Sequence, residues 1–270
     1  MDISGNLSDA EPWVLRQQRG AVAFLTLNRP AQFNVLSEGM LGALHGVLEA
    51  IAADASVRAV VLCGAGKAFC AGHDLKQMRN NPSLLYYQDL FELCSRLMLR
   101  IQSLPQPVIA RVQGLATAAG CQLVAACDLA IASDEARFAV SGINVGLFCA
   151  TPSVALTRNV GRKAAFEMLV TGEFIDAATA VQRGLVNRCV PAERLDGEVL
   201  ALAAAIVAKP HRAIAAGKEL FYRQIESGVA AAYQLAGQVM ACNMVDESAQ
   251  EGVAAFIEKR APNWAPKPAD

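Results

Sequence analysis

An α/β fold is predicted for this chain of 270 residues by three observations. Strand-like and helix-like stretches alternate from residue 13 to about residue 132, and the pattern beyond residue 152 is almost wholly helical. Two stretches that follow predicted strands consist of small residues, a composition suited to close turns rather than to side-chain packing.

Residues 13–27 alternate and end in Ala21-Val22-Ala23-Phe24-Leu25-Thr26-Leu27, which predicts a strand pair turning at Gly20. After Asn28-Arg29-Pro30, Ser37 stands before apolar positions at Met40, Leu41, Leu44, Val47, Leu48 and Ile51, the signature of an N-capped amphipathic helix reaching about residue 53. A buried strand follows over 57–63. Leu90, Leu93, Leu97 and Ile101 keep helical spacing up to Pro105, and 107–112 again reads as a strand. Residues 116–127 form an apolar helix opened by small residues, and a strand returns at 128–132. In the helical part, Asp176, Pro191 and Pro210 mark successive starts, and 186–190 is the one further strand candidate. The Pro-rich tail 261–270 is expected on a surface.

Composition narrows the functional classes. With Lys+Arg 24 against Asp+Glu 25, the net charge of −1 provides no field for nucleic acid or anionic lipid. Hydrophobic residues make up 54% and mean hydropathy is +0.30, yet no apolar run reaches the roughly 20 residues of a membrane span. The excess apolar surface is therefore expected between packed Ala-rich helices and at a subunit interface. Residues 1–14 show neither a secretory signal nor a transit peptide, from which a cytoplasmic location is expected. The eight cysteines include no CxxC pair, and the three histidines, His45, His73 and His211, lie in distant segments, so buried free thiols and no metal site are expected.

Several motifs fail on inspection. Gly64-Ala65-Gly66-Lys67 follows a strand, but Val61 stands where a phosphate loop needs its first Gly, and Ala68 follows the lysine. Phe69 occupies a Gly position of the dinucleotide fingerprint. A tight turn accounts for the segment. No GxSxG elbow occurs, and Ser141 has no nearby histidine in sequence. The two small-residue loops remain, Cys70-Ala71-Gly72-His73-Asp74-Leu75 and Gly114-Leu115-Ala116-Thr117-Ala118-Ala119-Gly120-Cys121. Such loops expose backbone N–H groups, and two convergent donors beside a helix N-terminus can bind a developing oxyanion. Taken singly, each loop fits close packing at least as well.

Together with Asn28-Arg29-Pro30, Asn34, Cys127-Asp128-Leu129-Ala130 and the ending Glu251-Gly252-Val253-Ala254-Ala255-Phe256-Ile257-Glu258-Lys259-Arg260, these loops resemble the enoyl-CoA hydratase/isomerase (crotonase) family over nearly the whole chain. Residues 114–127 and Asn144-Val145-Gly146-Leu147-Phe148-Cys149 are most similar to its enoyl-CoA hydratase domain-containing protein 3 branch. The resemblance implies a crotonase-like ββα spiral core over residues 1–200, a C-terminal helical trimerisation region over 201–270, and a homotrimer or a hexamer of two trimers. It implies an acyl-CoA thioester as ligand, with coenzyme A part of the substrate and no separate cofactor, and lyase chemistry of the kind used in fatty acid metabolism. The thioester carbonyl would sit between the N–H groups of His73 and Ala119 and pass through an enolate. Ala71, His73, Asp74, Leu75 and Lys76 match the CoA-contact stretch, while Phe256 and Lys259 match C-terminal residues that reach a neighbouring subunit's CoA.

The family's hydratases use two glutamates to activate water and to protonate the α-carbon. At those positions this chain has Gln122 and Gly142. An amide orients water but exchanges no proton near neutral pH, and glycine has no side chain to offer. Each missing group should slow hydration about 10²–10⁴-fold, while an oxyanion hole can still contribute about 10²–10³-fold. Efficient hydration is therefore not expected, and three readings stay open: lyase or isomerase chemistry at low rate with Gln122 positioning water, a different CoA-thioester reaction (decarboxylation, isomerisation or hydrolysis), or a catalytically silent acyl-CoA-binding or regulatory protein. Substitute groups are the His73 imidazole, Asn144 and Cys149 near the acyl pocket, Asp74, and Asp246 with Glu247.

Overall fold

A computed structural model of the protein describes residues 11–264. The predicted strand pair is a hairpin of β1 (Val14–Arg19) and β2 (Val22–Leu27), with Gly20 at φ 57° in its turn. A 3-10 turn at Pro30–Gln32 leads to α1 (Glu38–Ala52), whose Ser37 cap accepts from the Met40 N–H at 3.3 Å.

Three units of one build follow. The first is β3 (Ala59–Gly64), β4 (Ala68–Cys70), α2 (Leu75–Asn80) and α3 (Leu84–Ser103). The second is β5 (Val108–Val112), β6 (Leu115–Thr117) and α4 (Ala119–Ala126). In the third, β7 (Leu129–Ser133) and β8 (Arg137–Ala139) lead to α5 (Ala150–Leu156) and α6 (Arg162–Thr171). The first strand of each unit joins a large sheet and the second a small one. β9 (Ile175–Asp176), α7 (Ala177–Gln182) and β10 (Arg188–Val190) close both.

The large sheet has the order β1-β2-β3-β5-β7-β10 and is parallel beyond its hairpin; the small sheet, β4-β6-β8-β9, is parallel except at its last pair. Each unit advances one position along both sheets, so the chain winds as the expected ββα spiral. Alternation along the large sheet explains its two buried faces. Val60, Leu62, Val108 and Ala110 pack into the main core, while Ala59, Val61, Ile109 and Ile131 meet Leu195, Val199 and Ala203 of α8 (Leu195–Val207).

The last helices are α9 (His211–Gln224), α10 (Val229–Met244) and α11 (Glu247–Ile257). One polar cluster ties α9 to the spiral. Lys218 Nζ donates to Asp128 Oδ2 (2.6 Å), Ile101 O (2.8 Å) and Gln106 O (3.0 Å), and Tyr222 donates to Asp128 Oδ1 at 2.8 Å. The Val108 N–H completes the shell around the carboxylate. α10 buries no residue, and Phe221, Ile225, Val229, Tyr233 and Met240 leave an apolar face exposed on α9 and α10. No single helix among the described residues is long and apolar enough to cross a membrane.

The strand read at 186–190 is β10, but the helical reading beyond 152 misses β9, whose two residues are too few for a period. The small sheet was legible only as loops, because β4, β6 and β8 have three residues each. All eight cysteines are free. Burial pushes the Cys70, Cys94 and Cys121 thiols up to about 12, while Cys242 is exposed. The surface placement expected for the tail falls, from residue 265 on, outside the described residues.

Candidate functional site

The two small-residue loops lie against each other because glycine stands at each contact. Gly72 has φ 91°, and a Cβ there would fall 2.9 Å from Ala118 Cβ and 3.2 Å from the Ala119 nitrogen. Gly120 lies so near β4 that a Cβ would come within 2.0 Å of the Cys70 carbonyl oxygen. Between them Ala118 holds φ 50° and ψ −122°, a strained conformation for a residue with a side chain. Its amide is pinned to Ala139 O at 3.0 Å. Ala119 is the first residue of α4, so its N–H has no acceptor within the helix, and neither it nor the His73 N–H has a backbone acceptor among the described residues. Two unused donors thus stand beside a helix N-terminus, an arrangement able to bind a partly negative oxygen.

They open on a cavity of about 590 Å³. Of the predicted residues it gathers Ala71, His73, Asp74, Leu75 and Lys76 from the first loop, Ala119 from the second, and Gly142 with Cys149 from the segment after β8. The remaining four stand elsewhere. Gln122 is buried one turn along α4, and its Oε1 has no hydrogen-bond partner. Asn144 is exposed and donates to Gly172 O at 3.3 Å, tying its turn to the end of α6. Phe256, 85% exposed, and Lys259 lie at the end of α11. There Arg260 pairs with Glu251 at 2.6 Å and holds its carboxyl down at about 2.

The substitute groups have structural duties. Asp74 caps α2, accepting from the Lys76 and Gln77 amides at 2.9 and 3.1 Å. Asp246 caps α11 and pairs with Arg212, and Glu247 follows it on that helix, away from the cavity wall. The His73 ring is held by its Nδ1 against Leu36 O at 3.3 Å and by an edge contact with Phe91, leaving Nε2 sealed from solvent without a partner. Desolvation by burial lowers its pKa from 6.5, the backbone hydrogen bond opposing this. The unfolded chain therefore takes up the proton first, so this contribution to stability is complete above about pH 6.5 and is lost as pH falls through the lowered value. Calorimetric Tm should drop between pH 7.5 and 5.5, and less in His73→Phe.

Position 142 has no room for a side chain. A Cβ there would lie 2.5 Å from Leu147 O and 2.8 Å from Cys149 Sγ, and the thiol accepts from the Gly142 N–H at 3.3 Å. The Cys149 sulfur therefore fills the space beside Gly142. Gly142→Ala is expected to cost about 1–3 kcal/mol by overpacking, read as a lower urea midpoint.

Sequence reasoning missed several wall residues. Val145, Leu147 and Phe148 contribute exposed apolar side chains from the turn after Gly142, and Phe33 does so from the turn before α1. Phe33 and Asn34 both have positive φ, 52° and 54°. Buried Asn34 holds them: its Oδ1 accepts from Arg29 N–H at 2.9 Å, and its Nδ2 donates to Ala65 O and Ala68 O at 2.9 and 2.8 Å. The signal was an Asn in a turn, but the two carbonyls it donates to lie more than 30 residues ahead. Ser141, set aside as a nucleophile, also lines the cavity, with its Oγ 2.8 Å from Thr117 Oγ1.

A ββα spiral with paired free amides over an apolar cavity defines a class of fold and site that comparison identifies. The enoyl-CoA hydratase/isomerase family profile matches residues 17–267, and the chain belongs to that family, the crotonases. It is 45% identical to the enoyl-CoA hydratase domain-containing protein 3, mitochondrial, of Xenopus laevis, over 98% of this chain and 90% of that protein. A crystal structure of an enoyl-CoA hydratase from Mycobacterium smegmatis superposes with TM-score 0.93 at 64% identity, covering 94% of this chain and 99% of its own. Human enoyl-CoA hydratase domain-containing protein 3 gives TM-score 0.91 at 41% identity, over 93% and 100%. The branch indicated by residues 114–127 and 144–149 is thereby supported.

The cytoplasmic location is corrected. Relatives from Xenopus laevis, Mus musculus, Rattus norvegicus and Homo sapiens are named mitochondrial. The expectation rested only on the residue types at positions 1–14, which do not determine compartment.

Proposed function

We propose that the protein binds an acyl-CoA thioester with its carbonyl oxygen between the His73 and Ala119 amides and stabilises the enolate that forms there. The convergence of two unused N–H donors at the mouth of an apolar cavity carries this reading. Ala71, Leu75 and Lys76 receive the CoA arm, Lys76 as a mobile charge for phosphate. Gly142 and Cys149 border the acyl chain. Phe256 and Lys259, with the exposed face of α9 and α10, serve a homotrimer or a pair of trimers, the region from residue 201 being the trimerisation part. Coenzyme A enters as part of the substrate.

Hydration is slow in this account, because Asp74 is the sole carboxylate on the cavity wall among the described residues and its oxygen caps α2. The same observation favours a second reading, a silent acyl-CoA binder or regulatory subunit. Calorimetric titration with a panel of acyl-CoA thioesters and free CoA, alongside mass-spectrometric detection of turnover, tests both. Binding with conversion supports the first reading, and binding without conversion supports the second. No binding by any thioester overturns the site.

A further inference from the structure

Four non-glycine residues have positive φ among the described residues. Phe33, Asn34 and Ala118 stand in or beside the cavity wall, whereas the fourth, Lys259 at φ 56°, lies just past the end of α11. Lys259 fills the left-handed place of a Schellman cap: its N–H donates to Phe256 O at 3.3 Å, and the Arg260 N–H donates to Ala255 O at 3.0 Å. Glycine is the favoured residue there, because a Cβ crowds the backbone in that conformation. A basic side chain suits a helix C-terminus, but any position in the last turn would serve that end. A strained lysine therefore points to a use for its ammonium at this one place.

The surroundings leave that ammonium unpaired. Arg260 stands between two carboxylates, with a forked pair to Glu251 at 2.6 and 3.0 Å and a bond from its Nε to Glu258 at 2.6 Å. Glu251 also accepts from the Asn263 N–H at 2.8 Å, and Trp264 lies so close over Gly252 that a Cβ there would fall 2.7 Å from its Cη2. Residues 258–264 are thus folded back on α11 and fastened to it. The two carboxylates nearest to Lys259 in sequence are both engaged by Arg260, and exposed Lys259 has no ion-pair partner among the described residues.

We infer that this clasp presents Lys259 as a free cation to the phosphates of a coenzyme A thioester held by a neighbouring subunit, which makes Glu251 and Arg260 positioning residues for that contact. The inference rests on the proposed reach of Lys259 to the ligand of a neighbouring subunit. Arg260 acts in two ways. Its bonds to Glu251 and Glu258 fasten both residues that flank Lys259, and its charge engages the two carboxylates that would otherwise compete with phosphate for the ammonium.

The test measures dissociation constants of the full-length protein for butyryl-CoA and for S-butyrylpantetheine, the same thioester arm without phosphates, in the parent, in Lys259→Gly, in Arg260→Ala and in the double variant. Lys259→Gly should keep the parent's urea midpoint, since glycine adopts that φ without strain. It should nevertheless weaken butyryl-CoA binding about 10-fold, the effect of one hydrogen bond to a charged group. Arg260→Ala should weaken butyryl-CoA to a similar extent and add nothing in the Lys259→Gly background, because both changes remove the same contact. S-butyrylpantetheine affinity should not respond to either. Parent-like butyryl-CoA affinity in Lys259→Gly or in Arg260→Ala overturns the inference and leaves the cavity reading intact. Equal weakening of both ligands in Arg260→Ala also overturns it, by showing a purely structural clasp. Failure of the parent to bind either thioester overturns the proposed acyl-CoA site, and the inference with it.

Discussion

Replacing Lys218 by alanine is expected to destabilise the protein by about 3–5 kcal/mol, the penalty for leaving one member of a buried ion pair alone. The ammonium is surrounded by Asp128, the Ile101 carbonyl and the Gln106 carbonyl, with the Lys218 side chain only 6% exposed. Burial drives the Asp128 carboxyl up and the Lys218 ammonium down from their ordinary values, so each group depends on the other to remain charged. Among the described residues, Tyr222 and the Val108 amide would be the only donors left to the carboxylate. Urea denaturation at fixed protein concentration measures the loss. Lys218→Met with Asp128→Asn should recover part of it, since neither charge is then stranded. A midpoint in Lys218→Ala equal to that of the parent would show that α9 is held by other contacts.

The second large effect is expected at Gly120. In Gly120→Val the new Cβ would stand 2.0 Å from Cys70 O and 2.7 Å from Cys70 C, both backbone atoms that no rotamer change can clear. Either β4 or the first turn of α4 must move. Overpacking of this kind costs about 1–3 kcal/mol and occasionally more. The functional effect is larger, because the Ala119 amide is displaced from its position opposite His73. Loss of one oxyanion donor lowers turnover about 10²–10³-fold, and thioester affinity should fall with it. Gly217→Ala serves as a control, since nothing lies within 4 Å of a Cβ there. Binding of acyl-CoA by Gly120→Val as tight as by the parent would remove the Ala119 amide from the account.

How far the sequence carries this structure depends on the length of each signal. α1 and α3 are long enough for apolar periodicity to show, and Ser37 and Asp176 cap helices as their residue type predicts. The inner large-sheet strands β2, β3, β5 and β7 read as largely apolar runs because both faces are covered. Strands of three residues carry no period, so the small sheet that aligns the two loops was seen only as Gly- and Ala-rich turns. The cavity was half legible. The resemblance pointed to His73 and Ala119, both of which line the cavity, and the geometry around Gly72 and Ala118 explains why small residues stand there. The apolar wall from Val145 to Phe148 stands on a 3-10 turn at Ser141–Val145, and the Ser141–Thr117 pair on the parallel register of β6 with β8. That juxtaposition joins residues 24 apart, beyond the reach of local pattern. Gln122 illustrates the opposite limit. Its place in the family motif was readable, but its burial one turn from the cavity, with Oε1 unpartnered, was not.

Polarisation of a thioester carbonyl by two backbone amides is read out by isotope-edited infrared difference spectroscopy of crotonyl-CoA labelled with ¹³C at that carbonyl. Hydrogen bonds from the His73 and Ala119 N–H groups weaken the C=O bond, so the labelled band should move to lower wavenumber on binding, and the movement should shrink in Gly120→Val. A bound ligand whose carbonyl band stays at its position in water would contradict the account.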